Sequence, residues 1–249
     1  MIICHSKRFI FIKTAKTAGT SIEAFLNKGL CPEDISTPFS YPEEDCAHTN
    51  YSGRFPISSE IVQIYRSGWQ PFGIELMRTL ADWKARRAFY GHIPAWRVRS
   101  RLGINRWSSY YKFAVERNPW DKVISAYWYK KNMYGPADLT FNQFIDFLEY
   151  QKTTRRYGVG VSPFNLALYA DKKKRILVDR VIKYESLDAG LRSVFKTIGI
   201  NPDFSSLEYC AKTGFRGDRR PYTEFYSLGQ KERVRSLFEE EINIHGYEF

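Results

Sequence analysis

An α/β protein with a central, mainly parallel sheet covered by helices on both faces is predicted by three features of the sequence. Short β-branched and aromatic runs recur at 8–13 (RFIFIK), 110–115 (YYKFAV) and 180–183 (RVIK). Helix-period segments separate these runs. The first two runs break directly into small or polar loops that open helices. Ligands in such folds gather at the carboxyl ends of the strands.

Composition narrows the class. The 249 residues suit one domain, 1–249, with a well-buried core. Hydrophobic residues at 43% and charged residues at 26% exclude disorder and fibrous repeats. The formal charge of +11 favours an anionic ligand or partner: nucleic acid, anionic glycan, acidic membrane or phosphorylated cofactor. The four cysteines, Cys4, Cys31, Cys46 and Cys210, show neither C-x-x-C spacing nor scaffold density, which fits a reducing compartment. No Cys or His spacing suggests a metal site. No apolar run approaches a membrane span, and MIICHSKRF lacks a signal-peptide core. A cytoplasmic location is expected if Met1 is the native start, and a soluble catalytic domain otherwise.

Along the chain, RFIFIK reads as a buried strand and TAKTAGTSIEAFLNKG as a loop entering a helix that stops near Gly29. Residues 31–72 carry several prolines and weak periodicity, so a long irregular excursion is expected, with one short helix near 58–65. A helix is predicted at 74–87, and FYGHIPAW (89–96) reads as a short strand broken at Pro94. After YYKFAV, Asn118 is placed to cap a helix with Pro119 in its first turn. FNQFIDFLEY forms another helix, RVIKYESL a strand turning into a helix that ends before Gly199, and SLGQKERVRSLFEEEI one terminal helix.

The loop AKTAGTS carries the first chemistry. A helix N-terminus offers N–H groups and partial positive charge, Lys16 adds a mobile charge, and Thr17, Thr20 and Ser21 add hydroxyls. Ala18 and Gly19 leave phosphate oxygens room against the backbone. The strand–loop–helix order gives a P-loop-NTPase-like three-layer α/β/α arrangement. A kinase or GTPase loop would carry its lysine after the second glycine, whereas Lys16 precedes Gly19. The order resembles the 5′-phosphosulfate loop of sulfotransferases that use 3′-phosphoadenosine 5′-phosphosulfate (PAPS). It is closest to the carbohydrate sulfotransferases, whose loop runs Pro-Lys-Thr-Ala/Gly-Gly-Thr-Ser. Ala15 stands where that family usually has proline.

ERNPWDKVISAYW places Arg117 at a strand end and Ser125 on the following helix; arginine can grip a phosphate with two parallel bonds and a helical serine can complete its shell. This resembles the family's 3′-phosphate motif, with matches at Arg117, Asn118, Pro119, Asp121, Ser125 and Tyr127, and Lys122 keeping the charge of its arginine. DRVIKYESL and RRPYTEFYS resemble later family segments. The resemblance implies a late loop over the nucleotide near 216–222, with Arg216 a further cofactor contact.

It further implies that Lys16 meets the bridging oxygen of PAPS and that Thr17, Ala18, Gly19, Thr20 and Ser21 hold the 5′ end, with Arg117 and Ser125 on the 3′-phosphate. The base is expected among His5, His48, His92, His245 and nearby carboxylates. His92 is the choice, because YGHIP resembles the Gly-His segment of some glycan sulfotransferases; His48 is the runner-up, and His245 reads as structural. The acceptor is a hydroxyl, on a carbohydrate by resemblance. Residues 84–106 contain Lys84, Arg86, Arg87, Arg97, Arg99, Arg101 and Arg106 without an acidic residue, interleaved with Phe89, Tyr90 and Trp96, and suit an anionic or sugar-like acceptor unless they form a solvated face. Competing readings are sulfation of a small molecule or protein tyrosine, a divergent kinase lacking a visible Walker-B aspartate, a basic nucleic-acid binder, and a catalytically dead PAPS-fold binder.

Overall fold

The computed structural model describes residues 1–38, 48–66, 72–133, 135–136, 138–154, 162–200, 216–218 and 220–249. Five strands, β1 (Ile2–Cys4), β2 (Phe9–Ile12), β3 (Ile35–Ser36), β4 (Tyr111–Glu116) and β5 (Arg180–Lys183), form one sheet in the order β3-β1-β2-β4-β5. The central β2, β4 and β5 run parallel, with Phe11 opposite Phe113 and Ala114 opposite Val181. The antiparallel β1 and β3 close one edge. The predicted parallel sheet is therefore the site-bearing half, extended by β1 antiparallel to β2 and by β3 antiparallel to β1.

Side chains alternate along the strands and feed two cores. Ile3, Ile10, Ile12 and Ala114 point to one face, where they meet Ile93, Val98, Trp107, Leu166 and Tyr169. Phe9, Phe11, Phe113 and Val115 point to the other, against Ile22 and Leu26 of α1 (Gly19–Asn27) and, beyond the later helices introduced below, Leu191 and Phe195. Because both faces are buried, β2 reads as an unbroken apolar run.

Helices α2 (Ile57–Arg66) and α3 (Phe72–Lys84) precede α4 (Ala95–Leu102) and α5 (Ile104–Ser109). α6 (Pro119–Met133) follows β4, and α7 (Phe141–Thr154) and α8 (Leu166–Tyr169) lead to β5. α9 (Leu187–Thr197), α10 (Tyr222–Phe225), α11 (Leu228–Leu237) and α12 (Glu239–His245) complete the chain. A third core joins Val123, Ile124 and Tyr127 of α6 to Phe144 and Leu148 of α7 and Val234 of α11.

Several expectations are corrected. The excursion at 31–72 contains β3, which was not expected, while α2 is the short helix expected near 58–65; its residues 39–47 and 67–71 lie outside the described ones. FYGHIPAW is not a strand: the N–H of Phe89 donates to the Tyr51 carbonyl at 2.8 Å, and Arg101 takes the carbonyls of Arg87 and Ala88, so these groups have no ladder to join. Pro94 precedes α4 and starts a helix instead of a loop. The single terminal helix is two, broken at Phe238, whose buried ring enters the third core. Arg97 and Arg101 are not surface cations. Both are buried in ion pairs with Glu60 of α2 and Glu75 and Asp82 of α3, and Trp96 and Phe89 are buried beside them.

His245 donates from Nε2 to the Tyr169 hydroxyl at 2.9 Å, since that hydroxyl's own proton goes to Glu116. Burial pushes the imidazole below its ordinary value of 6.5. A base with a depressed folded pKa contributes stability that is complete above its unfolded value and is lost as pH falls through it. The unfolding midpoint is therefore expected to fall between about pH 7.5 and about pH 5.5, and to fall less in His245→Gln. Equal slopes in the two proteins would contradict this.

Candidate active site

The loop after β2 is held from below before it offers anything to a ligand. Thr14 donates through Oγ1 to the Val115 carbonyl of β4 at 2.5 Å, and the buried Thr17 hydroxyl lies 2.7 Å from it. Lys13 is buried and ion-paired with Glu23 of α1. The Lys13 stem lies so close that a Cβ on Gly19 would approach its Cγ to 2.9 Å, so only glycine fits there. Lys16 and Ala18 adopt left-handed backbone (φ 62° and 59°), strain that is common in ligand-cradling loops.

α1 begins with the bond from Ile22 N–H to the Ala18 carbonyl, at 3.1 Å. The first-turn N–H groups of Gly19 and Thr20 thus have no intrahelical acceptor, and Ala18 supplies no side-chain cap. No acidic residue occupies that turn, and the nearest carboxylate, Glu23, is neutralised by Lys13. The end of α1 is electrostatically open to an anion. The Lys16 ammonium sits 4.1 Å from the centre of the Tyr129 ring of α6.

The second signature lies at the adjacent strand end. Arg117 donates through Nη1 to the Lys16 carbonyl at 3.3 Å and through Nε and Nη2 to Asp121 at 2.8 and 2.6 Å, with its guanidinium 4.2 Å from the Tyr184 ring centre. The two predicted motifs therefore touch. Asn118 caps α6 through the Trp120 N–H (3.1 Å), and its own N–H donates to Glu185 (2.7 Å). Ser125 lies half-buried farther along α6. Arg216 reaches Asp121 at 3.4 Å, and a Cβ on Gly217 would come within 2.9 Å of the Trp128 ring, so the late segment is seated on α6 beside Arg117.

Lys122 departs from expectation. Its side chain is fully buried and its ammonium pairs with Glu116 at 2.8 Å, so its charge supports the fold and is not presented to a ligand. Glu116, Asn165, Tyr129 and Tyr184 were not singled out from sequence. Asn165 accepts from the Ala15 N–H at 2.8 Å, donates to the Ala15 carbonyl at 3.0 Å and donates to Glu116 at 3.1 Å. Ala15 has the N–H that a proline would lack, and Asn165 uses it to fix the loop. The only signal available in sequence was the missing proline itself.

Of the histidines, His5 bonds Tyr110 at 2.6 Å at the end of the sheet where β2 and β4 begin, opposite the loop, and His245 is engaged by Tyr169. His92 lies at the loop: its Nδ1 is 3.1 Å from the Lys13 carbonyl. A carbonyl only accepts, so Nδ1 carries the proton and Nε2 carries the lone pair in the neutral ring. His48 is exposed, and its imidazole is held below 6.5 by partial burial, then by the positive amino terminus and Lys13.

A family model described as the sulfotransferase family matches residues 1–248. The chain belongs to the sulfotransferase family. Members of this PAPS-dependent family are enzymes of sulfuryl transfer, the chemistry that both loops imply. An uncharacterized protein of Archaeoglobus fulgidus is 34% identical over 110 residues, covering 43% of this sulfotransferase and 83% of the relative. The crystal structure of mouse sulfotransferase SULT7A1 complexed with PAP aligns over 97% of this chain and 86% of that one, at 15% identity and a TM-score of 0.49.

The Asn165 clamp is testable. Asn165→Ala removes two bonds to the loop and one to Glu116, and is expected to weaken 3′,5′-ADP binding roughly five- to thirty-fold by calorimetry. Wild-type affinity in a folded variant would refute the clamp.

Proposed function

We propose that this sulfotransferase moves a sulfuryl group from PAPS to a hydroxyl of a carbohydrate, with Lys16 as the charge-stabilising residue and His92 as the base. The observation that carries the donor assignment is the bond between Arg117 and the Lys16 carbonyl, which unites both nucleotide signatures at the carboxyl ends of neighbouring parallel strands. Bound PAPS supplies an activated sulfuryl group and a phosphate leaving group.

The residues present fit that ligand. The first turn of α1 offers N–H donors without a competing carboxylate, which suits the 5′ end at Thr17, Ala18, Gly19, Thr20 and Ser21. Arg117, Ser125 and Arg216 form the 3′-phosphate side, where a phosphate shares the two cations with Asp121. Lys16 projects from the strained loop next to α6 and balances charge developing on the leaving oxygen. His92, oriented by the Lys13 carbonyl, accepts the acceptor's proton at Nε2. Support for a carbohydrate comes from the resemblance of the 15–21 loop to the carbohydrate sulfotransferases. The arginine-rich stretch lends it little, because Arg97 and Arg101 are internal.

Calorimetry with 3′,5′-ADP, 5′-AMP and ATP tests the donor site. The expected result is selective binding of 3′,5′-ADP that Arg117→Ala reduces by on the order of 100-fold, the loss of a charge-assisted pair. Binding without preference for the 3′-phosphate would overturn the donor assignment. Transfer of labelled sulfate from PAPS to a panel of glycans, phenols and tyrosine peptides tests the acceptor. Lys16→Ala and His92→Ala are each expected to lower kcat about 100-fold or more while leaving 3′,5′-ADP binding to the His92 variant intact. Labelling confined to phenols or peptides would exclude the carbohydrate reading.

A further inference from the structure

Helices α2 and α3 present their surfaces in the reverse of the usual order. A surface helix of a globular protein turns its apolar stripe inward and its charges outward. Here the carboxylates face inward: the side chains of Glu60, Asp82 and Glu75 are 0%, 3% and 14% exposed, and all three pair with Arg97 or Arg101 of α4. Thr79 joins the same network by donating to Glu60 at 2.7 Å.

The outward face is correspondingly apolar. Val62, Tyr65, Ile74, Met77 and Leu80 are 45%, 77%, 50%, 71% and 47% exposed, five of the eleven large hydrophobic residues exposed among the described ones. Such a concentration on two neighbouring helices marks an interaction surface, whereas scattered single residues would need no explanation. Helical spacing sets an exposed cation one turn beyond three of these positions: Arg66 after Val62, Arg78 after Ile74, and Lys84 after Leu80. Arg78 also bonds Glu75 at 2.9 Å, and the two helices contain no further carboxylate, so this face offers Arg66, Arg78 and Lys84 with apolar groups between them and no acid more than 14% exposed.

We propose that the α2–α3 face docks on an anionic lipid surface, its apolar side chains entering the interfacial layer while Arg66, Arg78 and Lys84 meet headgroup phosphates. Apolar residues flanked by cations are the pattern of helices that lie in the plane of a bilayer. With 10 and 13 residues, the two helices are short and lie on the surface; no described helix is long and apolar enough to cross it. A second copy fits less well, because a two-fold contact would set this all-cationic face against itself. The chain's charge of +11 adds long-range attraction to the same partner. This inference stands independently of the acceptor.

Cosedimentation of the full chain with phosphatidylcholine vesicles, with and without phosphatidylserine, tests the proposal. The wild type is expected to bind the anionic vesicles at least about tenfold better than the neutral ones. Ile74→Ser/Met77→Ser/Leu80→Ser, which removes no charge, is expected to lower that binding about tenfold, with an unchanged unfolding midpoint. Arg66→Glu/Arg78→Glu/Lys84→Glu should lower it more than Arg192→Glu/Lys196→Glu/Arg235→Glu, an equal charge change on other exposed surface. The proposal is overturned if the serine variant binds like the wild type, if the control charge variant loses as much, or if anionic vesicles give no advantage. It is also overturned if sedimentation velocity shows a dimer that the serine variant dissociates, which would make a second copy the occupant.

Discussion

The site depends on one buried carboxylate. Glu116, at the end of β4 and fully shielded from solvent, accepts from Lys122 Nζ (2.8 Å), the Arg117 N–H (2.9 Å), Asn165 Nδ2 (3.1 Å) and the Tyr169 hydroxyl (2.8 Å). A buried charge is tolerable only when paired and hydrogen-bonded, and removing one partner of such a pair costs roughly 3–5 kcal/mol. Each of the four donors belongs to a different part of the site: α6, the turn that aims Arg117, the residue that clamps the 15–21 loop, and the α8–α12 contact. Fixing Glu116 therefore fixes the first signature relative to the second. Left-handed backbone at Lys16 and Ala18 persists because this frame over-determines the loop.

The same economy of charge shapes the rest of the molecule. A chain of +11 buries many of its carboxylates against cations: Glu116 with Lys122, Glu23 with Lys13, and Glu60, Glu75 and Asp82 with Arg97 and Arg101. These pairs take nearly equal charge inward, the Met1 ammonium on Glu23 included, so the surface keeps the positive excess of the composition. That favours phosphorylated ligands at the strand ends and, on α2–α3, an anionic surface.

Legibility followed the range of the interactions. β2, β4 and β5 and most helices were readable because apolar periodicity and the Asn118–Pro119 cap are local signals, and both signatures consist of contiguous residues. FYGHIPAW was misread because its aromatic, apolar residues satisfy a strand pattern, while the decision was made by Arg101, which captured the carbonyls of Arg87 and Ala88. Arg97 and Arg101 looked like surface residues because their acidic partners lie on α2 and α3, far away in sequence. Asn165 and Glu116 were invisible for the same reason: each is an ordinary residue until the fold brings Ala15, Arg117, Lys122 and Tyr169 around it. The tautomer of His92 likewise depends on the Lys13 carbonyl, which no motif records.

The central claim, that Glu116 registers the two halves of the nucleotide site, is tested most directly by the affinity for 3′,5′-ADP of Tyr169→Phe, Asn165→Ala and the double variant. Tyr169 is buried and donates to Oε2 of Glu116, whereas Arg117, Lys122 and Asn165 all donate to Oε1. The account predicts that Tyr169→Phe weakens the nucleotide and that the double variant departs from the product of the single effects by about twofold or more. Wild-type affinity in Tyr169→Phe, with single effects that simply multiply, would contradict it.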